Sequence, residues 1–192
     1  MKILSIDTTR DELLVVLNCE GTLFIRSNTS GKKGHSSSLL PYIDEVMSEA
    51  NIMPNELDAV AAVVGAGSFT GIRIGVATMN AIGFATGAKR ISINSFELLS
   101  YNQNSKVLCT VPALHDNIFG ALYDNGKEIE MGFYSKDELP NCENLIRQED
   151  FDDFANALSS VAKIKFGKGE FVNQIRPLYL RKSQAERAID EI

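Results

Sequence analysis

The chain of 192 residues carries only two histidines and three cysteines, and has no basic cluster. Each scarcity excludes something. His35 and His115 stand far apart, too few for a histidine-rich metal site, so carboxylates are the only plentiful metal ligands. Neither histidine is tied by sequence to a nucleophile, so no Ser-His-Asp or Cys-His arrangement is nominated. Each reads as a hydrogen-bonded surface or turn residue. Cys19, Cys109 and Cys142 are widely spaced and form no C-x-x-C pair. With an odd number of cysteines and no signal peptide ahead of the strand-like Met1–Asp7, reduced thiols in a cytoplasm are the expectation. No apolar run reaches the roughly 18 residues of a membrane helix, so no span is expected. Positive charge is also short: 19 basic against 25 acidic residues leave a net charge of −6. Such a chain is a poor nucleic-acid binder alone, because phosphate contacts need clustered Lys and Arg. The lysines around Phe166, in Lys163–Lys168, are too few to supply that cluster. If the protein acts on RNA, a partner supplies the positive surface.

What is present is globular: 44% hydrophobic and 23% charged residues, enough for one large domain or two small ones with a joined core. Lys2–Asp7, Leu13–Asn18 and Thr22–Thr29 read as three strands, with a hairpin turn at Cys19-Glu20-Gly21. Ser30–His35 is a polar loop. Ser36–Ala50 switches to helical spacing through Leu39, Leu40, Ile43, Val46, Met47 and Ala50, with Ser36, Ser37 or Ser38 as cap. Ala59–Val64 is apolar throughout, as in a strand buried on both faces. A glycine loop, Gly65–Gly71, leads into a helix over Ile72–Thr86, then a strand at Lys89–Ile93 and a short helix at Ser95–Ser100. The pattern then restarts with strands at Lys106–Ala113, Asn117–Asp124 and Lys127–Tyr134, the last two joined by an Asn-Gly hairpin turn. Ser135–Asn144 is a loop, Glu149–Ser159 a helix, Val161–Phe166 a strand, and the tail from Gln184 is charged and frayed. The repeat predicts a duplicated α/β architecture with a shortened second half, divided as residues 1–100 and 101–192, with a cleft between the halves.

Asp7-Thr8-Thr9 closes the first strand. There a carboxylate and two hydroxyls suit a phosphate or Mg²⁺ site, or simply satisfy turn backbone groups. The loop Gly65-Ala66-Gly67-Ser68-Phe69-Thr70-Gly71 joins a buried strand to a helix, where free N–H groups bind anions. Its G-x-G-x-x-x-G spacing meets neither the dinucleotide nor the Walker pattern. The glycines alternatively permit a tight turn and close helix approach, with Ser68 or Thr70 as cap. The helix that follows has one charge, Arg73, and is apolar nearly all round. It therefore needs cover on two sides. The second cover is the Ser36–Ala50 helix or another subunit. Gly71, Gly75 and Thr78 are spaced to let a neighbouring helix approach.

These residues resemble a known family. Gly65 to Gly75, with Gly67, Ser68, Phe69, Thr70, Gly71 and Arg73, is similar to the signature of bacterial TsaB proteins. So are Ile3-Leu4-Ser5-Ile6-Asp7-Thr8-Thr9, His35-Ser36 with Leu39-Leu40-Pro41, and Pro177-Leu178-Tyr179-Leu180-Arg181. The resemblance implies an ASKHA fold, that is, actin-like ATPase or ribonuclease H-like. It further implies a non-catalytic subunit that pairs with TsaD, and with the ATPase TsaE, in threonylcarbamoyl transfer to adenosine 37 of ANN-decoding tRNAs. Pairing would use the two N-domain helices through Leu39, Ile43, Met47, Ile74, Ala77 and Ala81, with a homodimer as the state of the free chain. tRNA would be reached only through the complex, and ATP or ADP only at the assembled complex. TsaD-like catalysis uses an H-x-x-x-H pair, but the matching stretch here, Ile93-Asn94-Ser95-Phe96-Glu97-Leu98-Leu99, has no histidine. The catalytic and metal sets are therefore expected to be empty, and Asp7, Thr8 and Thr9 a degenerate nucleotide site. Thr8 stands where ASKHA enzymes have Gly, Ala66 where the family has Pro, and the second acidic loop is missing or displaced to Asp116. Two alternatives are a small ATP-binding phosphotransferase using Asp7, Thr9 and Ser68, and a regulator that controls TsaD stability.

Overall fold

Strands β1 (Lys2–Asp7), β2 (Leu13–Cys19) and β3 (Thr22–Asn28) form the expected antiparallel meander, turned at Glu20 and Gly21, both with positive φ. The computed structural model describes residues 1–28, 34–114 and 116–180; the end of the third predicted strand, most of the following loop, His115 and the charged tail fall outside them. Helix α1 (His35–Glu49) leads to β4 (Ala59–Val63), α2 (Phe69–Thr86), β5 (Lys89–Ile93) and the short α3 (Ser95–Leu99). The sheet order is β3-β2-β1-β4-β5, with β4 parallel to β1 and β5. β4 lies between two strands and is covered on both faces, which is why its sequence has no polar alternation. Alternate residues go to opposite cores. Val60 and Ala62 join Leu4, Ile6, α1 and α2 on one face; Ala59, Ala61 and Val63 join Ile3, α3 and the second sheet on the other.

That second sheet is β8-β7-β6-β9, from β6 (Val107–Pro112), β7 (Asn117–Asp124), β8 (Lys127–Ser135) and β9 (Leu145–Arg147). Asn125 and Gly126 both take positive φ in the β7–β8 turn, as an Asn-Gly hairpin requires. The architecture is the ASKHA-type α/β fold, with a meander opening each half.

Three expectations are corrected. Residues 161–166 are not a strand, and the helix begins later than Glu149: both belong to α4 (Phe154–Lys168). Phe154, Ala157, Leu158, Val161 and Ala162 are buried at helical spacing, and the alternating lysines of 163–165 only imitate a strand. α4 packs on β1 and β2, and Asn18 Nδ2 donates to Ser159 Oγ at 2.9 Å. None of Ser36, Ser37 and Ser38 caps α1; the N-cap is Gly34, and Ser37 Oγ donates to its carbonyl. α2 starts at Phe69 rather than Ile72, and Ser68 is the cap: its Oγ accepts from Gly71 N at 3.3 Å.

His35 is buried, with Nε2 3.1 Å from the Asp11 carbonyl, so it ties α1 to the β1–β2 turn. Among the described residues no helix is long and apolar enough to cross a membrane. Burial pushes the Cys109 thiol, on β6, up to about 12. The thiolate is the reactive form, so in the native protein Cys109 is expected to resist iodoacetamide at pH 8. The half-buried Cys19 and Cys142 should react first. Peptide mass mapping before and after denaturation checks the order.

Candidate functional site

Parallel pairing of β1 with β4 brings Asp7-Thr8-Thr9 beside the glycine loop. Ser68 N donates to the Thr9 carbonyl at 2.7 Å, and Thr8 Oγ1 donates to the Gly71 carbonyl at 2.7 Å. A Cβ on Gly67 would lie 2.6 Å from the Thr9 carbonyl oxygen. One on Gly71 would overlap the Thr8 carbonyl oxygen, and one on Gly75 the Thr8 hydroxyl. The glycine spacing thus lets the first turns of α2 lie directly on the end of β1. This corrects the idea that Gly71 and Gly75 make room for another helix: they face their own sheet. Gly65 and Gly67, at φ 120° and 145°, also need the conformational freedom of glycine.

Asp7 is 1% exposed, and both carboxylate oxygens are engaged. Oδ1 accepts from Thr9 N at 2.8 Å and Thr9 Oγ1 at 2.7 Å; Oδ2 accepts from Arg10 Nε at 2.9 Å. The Arg10 guanidinium also meets Glu12 at 3.1 Å and stacks on the Phe154 ring of α4, 3.7 Å from its centroid. A buried carboxylate left without such partners is costly. Asp7, Thr8 and Thr9, the expected degenerate nucleotide site, therefore lie in a hydrogen-bonded junction, with an arginine on the acid and both hydroxyls bonded within the chain. Asp116 is exposed and its carboxylate sits 2.9 Å from Lys136 Nζ. Among the described residues no three His, Cys, Asp or Glu side chains cluster as metal ligands. In the stretch matching the catalytic histidines, Ser95 Oγ donates to the Ala66 carbonyl at 2.6 Å.

The open surface lies on the far side of α2. Its buried residues are Gly71, Ile72, Gly75, Val76, Met79 and Gly83, all toward the sheet. Ala77, Ala81 and Phe84 face outward, Phe84 at 84% exposure. The residues named for a partner interface therefore divide. Ala77 and Ala81 are exposed and Ile74 is half-buried. Leu39, Ile43 and Met47 are in the core under α1, no more than 6% exposed, and cannot touch a partner without unpacking. The stripe that makes α1 amphipathic is the stripe its own sheet covers. The large apolar side chain that α1 leaves outward is Leu40, at 57% exposure; its place inside an apolar run hid it.

The C-terminal stretch 171–180 was also missed as structure, for it has no periodicity; the one signal was the Pro177–Leu180 match. It straps back across α2. Asn80 clamps Ile175, accepting from its N and donating to its O, both at 2.9 Å. Leu178 N donates to the Val64 carbonyl at 2.8 Å. Arg73 Nε donates to Tyr179 Oη at 3.0 Å, while its guanidinium lies 3.8 Å from the Phe69 ring centroid.

Residues 28–158 match the family described as TsaD, tRNA N6-adenosine threonylcarbamoyltransferase. The chain is 30% identical over 102 residues to the tRNA threonylcarbamoyladenosine biosynthesis protein TsaB of Bacillus subtilis, covering 53% of this chain and 44% of that one. It is 28% identical over 130 residues to the protein of that name from Escherichia coli, covering 64% and 55%. The chain spans about half the length of these curated relatives, or less. The solved structure of YeaZ from Pseudomonas aeruginosa superposes with a TM-score of 0.80 at 20% identity, over 93% of this chain and 99% of that one, which is a likeness of fold.

Proposed function

The chain belongs to the TsaD family and groups with its TsaB members; from that premise we propose that it is a non-catalytic subunit of tRNA threonylcarbamoyladenosine synthesis, pairing with TsaD through the outer face of α2. One observation carries the reading. An α2 with a single charge leaves Ala77, Ala81 and Phe84 uncovered, and α1, which packs against α2, leaves Leu40 exposed. Exposed apolar residues gathered on one face mark an interaction surface rather than ordinary scatter. The non-catalytic part is supported by the closed Asp7–Arg10 junction and by the absence of histidine between Ile93 and Leu99. TsaE joins the pair in this reading. Any nucleotide the complex uses is held by groups other than Asp7, Thr8 and Thr9, and the acidic chain reaches tRNA only through its partners.

Reconstitution tests this. Threonylcarbamoyl-adenylate, TsaD, TsaE and tRNA are combined with and without the chain, and modified adenosine is scored by mass spectrometry. Modification is expected only with the chain present. Equal modification without it overturns the proposal.

A further inference from the structure

The groove between α2 and the strap holds about 500 Å³ and is flanked by Arg73 and Arg176. The charged partners of this chain's arginines are instructive. Arg10 holds Asp7 and Glu12, Arg26 holds Glu45 and Glu49, and Arg147 holds Asp150. On a chain with acid in excess, Arg73 and Arg176 reach no carboxylate among the described residues. Arg73 is also held in place: its Nε is engaged by Tyr179, its plane lies on Phe69, and its remaining N–H groups stay free to donate. A guanidinium already ordered in this way loses little freedom on meeting a carboxylate.

Resting on the pairing reading above, we propose that α2 and the 174–179 strap form one composite docking surface, and that the partner presents carboxylates to Arg73 and Arg176 beside an apolar helix packed on Ala77 and Ala81. The charge complementarity selects an acidic protein surface. An RNA backbone would ask for a longer run of cations, and among the described residues none lines this groove. Arginine and tyrosine beside a small apolar strip are also the composition of the energetic centre of protein interfaces. The strap, clamped by Asn80, then belongs to the recognition surface as well as to the fold.

The test uses Arg176→Glu, Arg176→Lys, Arg73→Gln and Ala81→Glu in the full chain, with binding to the cognate TsaD followed by surface plasmon resonance at several salt concentrations. Arg176 makes no bond to the described fold, so its variants should keep the wild-type melting temperature. Arg176→Glu is expected to weaken binding roughly tenfold or more, mainly through a slower on-rate, and to flatten the salt dependence. Arg176→Lys should stay near wild type, and Arg73→Gln should weaken binding with a faster off-rate. Unchanged affinity and salt dependence in both Arg176→Glu and Arg73→Gln, with pairing abolished by Ala81→Glu, overturns the composite surface and leaves the pairing reading standing. Absence of wild-type binding to TsaD removes both. If the arginine variants alter only self-association, measured by sedimentation, the acidic partner is a second copy and the proposal is overturned.

Discussion

Replacing Gly71 by alanine is expected to be among the most destabilising single changes this chain can carry, although it adds one methyl group. The new Cβ overlaps the Thr8 carbonyl oxygen, which is backbone directly after β1, so no rotamer change relieves it. α2 must lift off the strand end. That would loosen the Thr8 Oγ1 to Gly71 carbonyl bond and the Ser68 N to Thr9 carbonyl bond together. Overpacking of this kind costs about 3 kcal/mol or more where the neighbour cannot move. For a chain of 192 residues that corresponds to a fall in melting temperature of roughly 6–12 °C. Gly167→Ala is the control. Gly167 lies in α4, and a Cβ there meets nothing within 4 Å. Alanine should raise stability by up to about 1 kcal/mol through helix propensity. Thermal unfolding of the two variants by circular dichroism decides: a Gly71→Ala protein that melts like wild type would mean that the glycine motif serves something other than close packing.

The contrast between those glycines explains what was legible in the sequence. Ala59–Val63 was readable because a strand buried on both faces has only one kind of pattern. The G-x-G-x-x-x-G loop was readable as a close approach, but not what it approached. Whether glycines face a sheet or a helix depends on tertiary placement, which spacing does not encode. Asp7-Thr8-Thr9 read as a satisfied turn or a phosphate site, and the side chain that takes Asp7 Oδ2 is Arg10. That ion pair sits next in sequence, yet its meaning came from the Phe154 ring, contributed by a helix far along the chain. α4 itself was misread because alternating Lys and apolar residues in 161–166 mimic the period of a strand, while the buried set began before them, at Phe154. The proposed docking face was half legible for a related reason. A lone apolar stripe, as on α1, is claimed first by the chain's own sheet. An all-round apolar helix, as α2, has residues left over, and the sequence marks the excess without marking the direction.

That excess is where a single charge should have its largest effect on activity. Ala81→Glu places a carboxylate on the exposed face of α2, where the free chain tolerates it. Surface changes of this type usually alter stability within about 0.5 kcal/mol. In the proposed pair the same carboxylate is buried against an apolar helix without a partner, which costs about 3–5 kcal/mol. Affinity for TsaD should therefore fall roughly 10²- to 4 × 10³-fold. Threonylcarbamoyl transfer in the reconstituted system should drop to the level seen without this chain, and recover when the variant is supplied in large excess. Recovery is the discriminating part. A variant that fails at every concentration has lost a role beyond docking, while one that is fully active at low concentration shows that Ala81 stays in water. Leu39→Ala sharpens the comparison, because Leu39 is buried under α1. It should lower stability by about 2–5 kcal/mol while leaving the affinity of the protein that remains folded near wild type. Loss of pairing without loss of stability in one variant, and the reverse in the other, separates the docking face of the helix pair from the face that holds it to its own sheet.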